Sequence, residues 1–331
     1  MMNTIISGFG HALPARIIDN QTIVNWINTT EEFIEKRTGV LTRRHISETE
    51  TTSMLMANAC YDAILKAGLS PEDIDMLIVN TLSPDYHDPS QACLLQPLVF
   101  LRDHIPVFDI RAQCSGLIYG MTIAEQFIST GKYKNILVCC GEVLSKRMDD
   151  SDDGRNLSIL LGDGAGAVVL SASDISNKGI IDSNIHADGT YFQLLWTESP
   201  GTSGRVFNGD ETTCPHFRMN GKQMFRHAVE KFTEITLQTL EKNNLTIEDI
   251  DVIIPHQPNM RILDAVMENL KLPKNKVRIN VDQYGNIASA SLPITLSEYM
   301  TEIPLEQREG KLALIVGYGS GATWGSILYK F

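Results

Sequence analysis

The stretch VFDIRAQCSGLIYGMTIA, residues 107–124, joins a short apolar run to a longer segment of helical composition. The run from Val107 to Ile110 is typical of a strand, and the following segment is apolar nearly all round, which indicates a buried helix. Cys114 lies at the junction. Unpaired backbone N–H groups in the first turn of a helix favour a thiolate, so the pattern predicts a lowered pKa and a nucleophilic role for Cys114. The alternative is a small buried hydrophobe, since free cysteines are often buried.

The composition is that of a soluble globular protein. The chain has 331 residues, of which 43% are hydrophobic and 21% charged, enough for one large domain or two ordinary ones. Residues 1–10 do not resemble an export signal, and no apolar run approaches about 18 residues, so we expect a cytoplasmic location without membrane insertion. The net charge of −12 argues against non-specific nucleic-acid binding.

The cysteines show no pattern of pairing or metal binding. None of the six has a C-x-x-C neighbour, so the sequence predicts neither a disulfide framework nor a metal site. They are Cys60, Cys93, Cys114, Cys139, Cys140 and Cys214.

An internal repeat divides the chain. The acidic turn and apolar run around Ile74 return around Ile250, 176 residues later, each after a predicted helix (residues 52–67 and 223–242). Residues 136–141 likewise resemble residues 314–319, and residues 162–170 resemble 319–327. Residues 162–170 and 319–327 are separated by fewer positions than the other two matches, which places an insertion in the first half around residues 144–161. Two related α/β halves follow, residues 1–173 and 174–331, with sheets covered by helices.

Two polar residues follow apolar runs in the second half. His256 comes directly after the predicted strand Val252 to Ile254, and Asn286 follows a predicted strand from Val277 to Val281. By the repeat, we expect Asn286 to open the helix that corresponds to the one opened by Cys114. Ligand sites in α/β folds gather at the carboxyl ends of strands, which favours a shared site over a purely structural histidine.

Several motifs together resemble β-ketoacyl-acyl-carrier-protein synthase III across the whole chain. The resemblance implies the thiolase fold, in which two duplicated α/β halves form a layered α-β-α-β-α architecture. The Gly162–Gly166 motif alone also suggests a dinucleotide loop, but an apolar, strand-like run follows it, where a dinucleotide fingerprint opens a helix. The motifs are Cys114-Ser115-Gly116, Pro255-His256-Gln257-Pro258-Asn259, Gly285-Asn286, Gly162-Asp163-Gly164-Ala165-Gly166 and Gly321-Ala322-Thr323-Trp324-Gly325.

The resemblance implies an acyltransferase that needs no cofactor or metal. An acyl-CoA would load Cys114, and a decarboxylative Claisen condensation with a malonyl thioester, carried by acyl carrier protein or coenzyme A, would extend the acyl group. The backbone N–H groups of Cys114 and Ser320 would form the oxyanion hole. Neutral His256 and Asn286 would hold the malonyl thioester oxygen. Fatty acid and polyketide biosynthesis both use this chemistry.

The resemblance also implies substrate contacts and a homodimer. Asp88 occupies the position from which an aromatic residue lines the partner's acyl pocket, and Arg226 and Arg261 would form a patch for the carrier protein. The residues expected to contact substrate or coenzyme A are Phe33, Arg37, Arg155, Arg261 and Asn259, with the adenine stacked between Phe33 and Arg155.

Three positions depart from the housekeeping pattern. Arg111-Ala112-Gln113 replaces small residues before the nucleophile, Asp88 replaces the aromatic residue, and Glu268-Asn269 replaces a basic pair. A condensing or acyl-transferring enzyme of secondary metabolism therefore stays open as an alternative. Two other classes are an inactive partner subunit, which would be expected to lack the nucleophile, and a nicotinamide oxidoreductase, which rests on Gly162–Gly166 alone.

Overall fold

The computed structural model describes residues 2–198, 206–207, 210–211 and 216–331; Cys214 lies outside this part of the chain. The strands are β1 (Asn3–Ala12), β2 (Arg16–Asp19), β3 (Thr42–His45), β4 (Met76–Asn80), β5 (Val107–Ile110), β6 (Asn135–Glu142), β7 (Gly164–Ser173), β8 (Gly179–Ala187), β9 (Leu195–Trp196), β10 (Val206–Phe207), β11 (Asp210–Glu211), β12 (Arg218–Met219), β13 (Val252–Pro255), β14 (Leu312–Gly319) and β15 (Thr323–Lys330). The α-helices are α1 (Asn20–Val24), α2 (Glu31–Thr38), α3 (Thr52–Lys66), α4 (Gln91–Leu98), α5 (Gly116–Ser129), α6 (Arg155–Ser158), α7 (Gly221–Lys242), α8 (Met260–Leu270), α9 (Val281–Tyr284), α10 (Ser291–Glu302) and α11 (Leu305–Arg308).

Two main sheets share one strand order over four strands, and the first has a fifth strand. The first runs β1-β7-β6-β4-β5, and the second runs β8-β15-β14-β13. In each sheet an antiparallel pair (β6 with β7, β14 with β15) adjoins a parallel pair (β4 with β6, β13 with β14). This equivalence is what a duplication would produce, and β7 ends at Ser173; the division at residue 173 stays a prediction.

Both acidic turns that revealed the repeat have the same capping geometry. Ser70 and Asp73 form a reciprocal capping box before β4, and Thr246 and Asp249 form one before β13. Each aspartate accepts the N–H of the capping residue, at 2.8 Å for Ser70 and 2.7 Å for Thr246. Such a box satisfies two backbone donors at the start of a helical turn, which explains why both halves use it.

Helices α5 and α10 lie between the two sheets. Their apolar residues share one core with β4, β6 and β7 on one side and with β13, β14 and β15 on the other. Helices α3 and α4 cover the outer face of the first sheet, and α7 and α8 cover that of the second. Five layers result, and the all-round apolar composition of α5 is what burial between two sheets requires.

Most local predictions are confirmed. Thr30 caps α2 by accepting the N–H of Phe33, and Gly39 ends that helix with a φ of 75°. Residues Gly162–Gly166 lead into strand β7 rather than into a helix, as expected. Helices α3 and α7 occupy the two predicted ranges within two residues.

The predicted strand from Val277 to Val281 is wrong. One bridge joins Val277 to Ile253, and Val281 already begins α9. The side chain of Gln257 accounts for the difference, because its oxygen accepts the N–H groups of Asn280 and Val281 at 3.1 and 3.2 Å. A side chain thus takes the hydrogen bonds that a neighbouring strand would have made.

Candidate active site

Cys114 lies in a short 3-10 turn, Gln113–Ser115, and α5 begins two residues later at Gly116. The side chain of Asn80, at the end of β4, holds this turn by two hydrogen bonds. Its side-chain oxygen accepts the N–H of Ala112 at 2.9 Å, and its NH2 donates to the carbonyl of Gln113 at 3.1 Å. Cys114 is therefore fixed just before the helix. The sequence had suggested a position within the first helical turn.

The predicted lowering of the Cys114 pKa is wrong. The residue is only 7% exposed. Burial, together with the nearby carboxylate of Glu142, raises the pKa of the Cys114 thiol to about 12. Desolvation disfavours the charged thiolate, and a like charge adds to that cost. The resting Cys114 side chain is a thiol.

The second half contains a turn equivalent to that of Cys114. The 3-10 turn Ala288–Ala290 precedes α10, which begins at Ser291, so Ser289 occupies the position equivalent to Cys114. Asn286 lies before this turn and does not open the helix, which corrects the prediction. Its side-chain oxygen accepts the N–H of Ala288 at 2.8 Å, because a short amide caps a tight turn well. The Asn286 NH2 is the group left to donate to a ligand.

His256 follows β13 and is 1% exposed. Its backbone N–H donates to Val316 on the neighbouring strand at 2.8 Å. Burial lowers the pKa of His256 to about 3, so the imidazole is neutral at physiological pH. Its Nδ1 has no hydrogen-bond partner among the described residues.

Strand β14 brings the second half against Cys114. A Cβ at Gly319 would lie 2.7 Å from the backbone nitrogen of Cys114, so glycine permits this close approach. Ser115 donates to Thr323 at 2.8 Å, and Thr323 donates to the carbonyl of Ala112 at 3.1 Å. These contacts place Ser320, the next residue after β14, beside the turn of Cys114.

A cavity of about 610 Å³ contains this junction, and Cys114, Asn286 and Ser320 all line it. The structure thus brings together three of the four residues assigned by the resemblance to acyl chemistry, while His256 is not among the lining residues. Apolar lining comes from the side chains Leu82, Leu144, Leu157, Leu161, Phe192 and Phe217. Charged or polar lining comes from Asp85, His87, Arg111, Gln113 and Arg147.

Phe33 and Arg155 contact each other. The Arg155 guanidinium lies 5.3 Å from the Phe33 ring centroid, and it donates to the Asn28 carbonyl at 3.1 Å. An adenine between the two would have to separate them. Arg37 is exposed on α2, on the same helix as Phe33.

The other predicted contacts lie on the surface or at a helix end. Arg226 and Arg261 are exposed, and Arg261 lies 5.6 Å from the ring centroid of Phe225. Asn259 caps α8 by accepting the N–H of Ile262 at 3.0 Å. Asp88 is exposed on the loop before α4 and does not line the cavity of its own chain, whereas its neighbour His87 does.

Within the described part of the chain, no group of three or more His, Cys, Asp or Glu residues could hold a metal ion. Across the same residues, no helix is both long and apolar enough to span a membrane.

Sequence reasoning missed Glu142 and Ser289. Glu142 ends β6 and is fully buried, and Ser289 donates to its carboxylate. The signal was present, because a carboxylate at the end of the otherwise apolar run of residues 136–141 is expensive to bury without a purpose. The partner Ser289 lies 147 residues away and could not be identified from local pattern.

Comparisons with known proteins match this architecture. A family described as 3-Oxoacyl-[acyl-carrier-protein (ACP)] synthase III matches residues 108–189, and the C-terminal part of the same synthase matches residues 240–331. A Beta-ketoacyl-[acyl-carrier-protein] synthase III from Natranaerobius thermophilus is 39% identical over 334 residues, covering 100% of both chains. The chain belongs to the β-ketoacyl-acyl-carrier-protein synthase III family.

Solved structures agree with this membership. The 3-oxoacyl-[acyl-carrier-protein] synthase III from Aquifex aeolicus superposes with a TM-score of 0.90 at 37% identity, covering 99% of this chain and 100% of that one. The priming β-ketosynthase of the R1128 polyketide biosynthetic pathway superposes with a TM-score of 0.88 at 30% identity, covering 100% and 96%. The thiolase fold and the classification as an acyl-transferring, condensing synthase III enzyme are confirmed.

Proposed function

We propose that this synthase III family member takes an acyl group from acyl-CoA onto Cys114 and condenses it with a malonyl thioester. The observation that carries the proposal is the single cavity shared by Cys114, Asn286 and Ser320. A nucleophile, a side-chain amide donor and a backbone N–H at one cavity are what two successive acyl-transfer steps require.

In the first step the Cys114 sulfur attacks the thioester carbonyl of acyl-CoA. The C–S bond to coenzyme A breaks, and the proton of the buried thiol ends on the released coenzyme A thiol. The backbone N–H groups of Cys114 and Ser320 stabilise the oxyanion formed on the way. Because burial favours the protonated thiol, the sulfur must lose its proton as it attacks the carbonyl.

In the second step a malonyl thioester loses carbon dioxide, and the enolate carbon attacks the acyl group on Cys114. The bond to sulfur breaks, and the released Cys114 thiolate takes up a proton from solvent. Asn286 and His256 stabilise the enolate oxygen as neutral donors. The low pKa of His256 suits this role, because a neutral imidazole donates without being consumed as an acid. No cofactor takes part in either step.

The polar part of the cavity supports a specialised starter. The Arg111 guanidinium has no hydrogen bond or ion pair with any described residue, whereas Arg147 donates to the Leu82 carbonyl at 3.1 Å. A solvent-exposed, unpaired cation that lines the cavity favours an acyl group that carries oxygen atoms. The second candidate function is therefore a priming synthase of secondary metabolism, in which the malonyl carrier is an acyl carrier protein or coenzyme A.

We also infer a homodimer in which Asp88 lines the partner's acyl pocket. In one chain Asp88 is exposed and has no hydrogen bond to a described residue, so it is available to a second copy. A carboxylate there would again select a polar acyl group or a cationic neighbour.

Intact-mass measurement after incubation with a panel of acyl-CoAs tests the proposal. The panel includes acetyl-CoA, branched acyl-CoAs and their hydroxylated or carboxylated counterparts. We expect one added acyl mass on the wild-type chain and none on Cys114→Ala, with the position confirmed by peptide mass spectrometry. An acyl mass that persists on the alanine variant would exclude Cys114 as the nucleophile.

A further inference from the structure

Glu142 is a fully buried carboxylate that accepts hydrogen bonds from both halves of the chain. From the first half, the Ser83 hydroxyl donates at 2.6 Å, and the Leu82 N–H lies 3.2 Å from one carboxylate oxygen. The Thr81 hydroxyl is 3.4 Å away. From the second half, Ser289 donates to the other oxygen.

Ser289 connects this carboxylate to the nucleophile turn. Its hydroxyl also lies 3.3 Å from the carbonyl oxygen of Asn80, and the Asn80 side chain holds the backbone of Ala112 and Gln113. A continuous set of contacts therefore runs from Glu142 through Ser289 and Asn80 to the residue before Cys114. Such buried networks hold their members rigidly when every group is satisfied.

The same serine anchors the loop of Asn286. Ser289 is the central residue of the turn Ala288–Ala290, and the N–H of Ala288 is accepted by the side chain of Asn286. Moving the turn would move the amide that is proposed to hold the malonyl thioester. Glu142 thus lies where the nucleophile loop and the amide loop are joined.

We propose that Glu142 is a positioning residue that fixes the Asn286 loop against the nucleophile turn through Ser289. Its charge also acts on Cys114, since the carboxylate opposes formation of the thiolate. The thiol of Cys140 on β6 experiences the same carboxylate. The activity part of this inference rests on the proposed function, whereas the effect on the thiol does not.

The test compares Glu142→Gln and Ser289→Ala with the wild-type chain in three measurements. Iodoacetamide alkylation of Cys114, followed by peptide mass spectrometry across a pH series, reports the thiol pKa. Acyl uptake from acyl-CoA reports the first step, and release of carbon dioxide from a malonyl thioester reports the second. Asp163→Asn is the matched control, because Asp163 is also fully buried but accepts from Ile46, Leu144 and Ser145.

In Glu142→Gln we expect the alkylation midpoint of Cys114 to fall by about one pH unit, because a like charge has been removed. Acyl uptake should be retained or faster, while condensation falls at least about tenfold at saturating substrate, as lost positioning of one catalytic donor predicts. Ser289→Ala should slow condensation without lowering the midpoint. The control should leave the midpoint unchanged.

Two results would overturn the proposal. One is a midpoint in Glu142→Gln that is unchanged or raised; the other is Ser289→Ala condensing at the wild-type rate. Equal loss of acyl uptake and condensation in both variants would also contradict a positioning role for Glu142. A general loss of structure would produce that result. The alkylation measurement needs no acyl substrate. A wild-type chain that takes up no acyl group would overturn the proposed function, and the alkylation midpoint would then still test the effect of the Glu142 charge on the Cys114 thiol.

Discussion

The protonation states of Cys114 and His256 are determined by their burial. Cys114 and His256 are both buried, and burial acts on them in opposite directions because one becomes charged by losing a proton and the other by gaining one. The pKa of Cys114 rises and that of His256 falls. Both side chains are therefore neutral at rest.

The neutral state of His256 leads to the first prediction. His256→Ala and Asn286→Ala should still load acyl groups but condense about 100-fold more slowly, as removal of one oxyanion donor typically does. The wild-type condensation rate should not follow a histidine titration between pH 5 and 7, because the pKa of His256 is about 3. Carbon dioxide release and acyl uptake, measured separately, check both statements. Parallel loss of both steps would contradict this division of roles.

The second prediction concerns Arg111 and the choice of starter. Arg111→Met keeps the length of the side chain and removes the charge, so uptake of carboxylated or hydroxylated acyl-CoAs should fall about tenfold, the loss expected for one charged hydrogen bond. Uptake of simple acyl-CoAs should be kept. Arg147→Met is the matched control, since Arg147 already donates to Leu82. An unchanged preference across the acyl-CoA panel would remove Arg111 from starter selection.

At the scale of elements, the site is built where strands end and short 3-10 turns begin. The turns Gln113–Ser115 and Ala288–Ala290 each precede a helix of the middle layer. In each turn the first residue has a positive φ, 50° at Gln113 and 41° at Ala288. The tight turn aims the following residue at the opposite half, which delivers Cys114 to the cavity and Ser289 to Glu142.

The third prediction tests the approach of β14 to the nucleophile. Gly319→Ala should lower acyl uptake about 100-fold, because a Cβ 2.7 Å from the Cys114 nitrogen must displace a backbone that holds the reacting atom. Gly189→Ala is the control, since a Cβ there meets nothing within 4 Å. Uptake with each variant is the measurement, with thermal unfolding to confirm folding. Wild-type uptake in Gly319→Ala would show that the contact is dispensable.

At the scale of the whole molecule, one edge of the first sheet is formed by β5. Strand β5 is the last strand of its sheet, and exposed aromatic side chains lie on the loops beside helix α4, with Tyr86 64% and Phe100 72% exposed. An open strand edge beside apolar surface is a template for association with another chain.

The fourth prediction is therefore a homodimer. An obligate interface of this kind buries more than about 2,000 Å², enough to cover the edge of β5 and its aromatic neighbours. Light scattering at micromolar concentration should give twice the mass of 36.8 kDa. Phe100→Asp should weaken the association, whereas Leu65→Asp, on an exposed position of α3, should not. A monomeric wild-type chain would contradict the prediction.

The fifth prediction concerns stability and pH. Burial raises the pKa of Glu142 to about 7, so the folded chain binds this proton more tightly than the unfolded chain does. Stability contributed by the protonated group is present below about pH 4.5 and lost as pH rises through 7. The wild-type chain loses this contribution as pH rises, whereas Glu142→Gln does not. The unfolding free energy of the variant minus that of wild type should therefore increase by roughly 3 kcal/mol from pH 4.5 to pH 8. Urea unfolding across that range measures the difference, and a constant difference would contradict it.

Sequence alone predicted two α/β halves with sheets covered by helices, because the signals for them are local, whereas the five-layer thiolase fold was implied by the resemblance to the synthase III family. Apolar periodicity, the capped turns at Ser70 and Thr246, and the strand after Gly162–Gly166 depend on neighbours within a few residues. The repeat then joined these local signals into two halves, and the motifs around Cys114, His256 and Asn286 identified the family. These predictions needed no knowledge of contacts between distant segments.

Only the tertiary structure decided the pKa of Cys114 and the contact between the Asn286 loop and Glu142. The pKa of Cys114 depends on how deeply the thiol is buried and on Glu142, 28 positions later in the chain. The partnership of Glu142 with Ser289 spans 147 residues, and the side chain of Gln257 takes the N–H groups of Asn280 and Val281. Desolvation and hydrogen bonding depend on distances in space, and a pattern of residues along one segment carries no information about them.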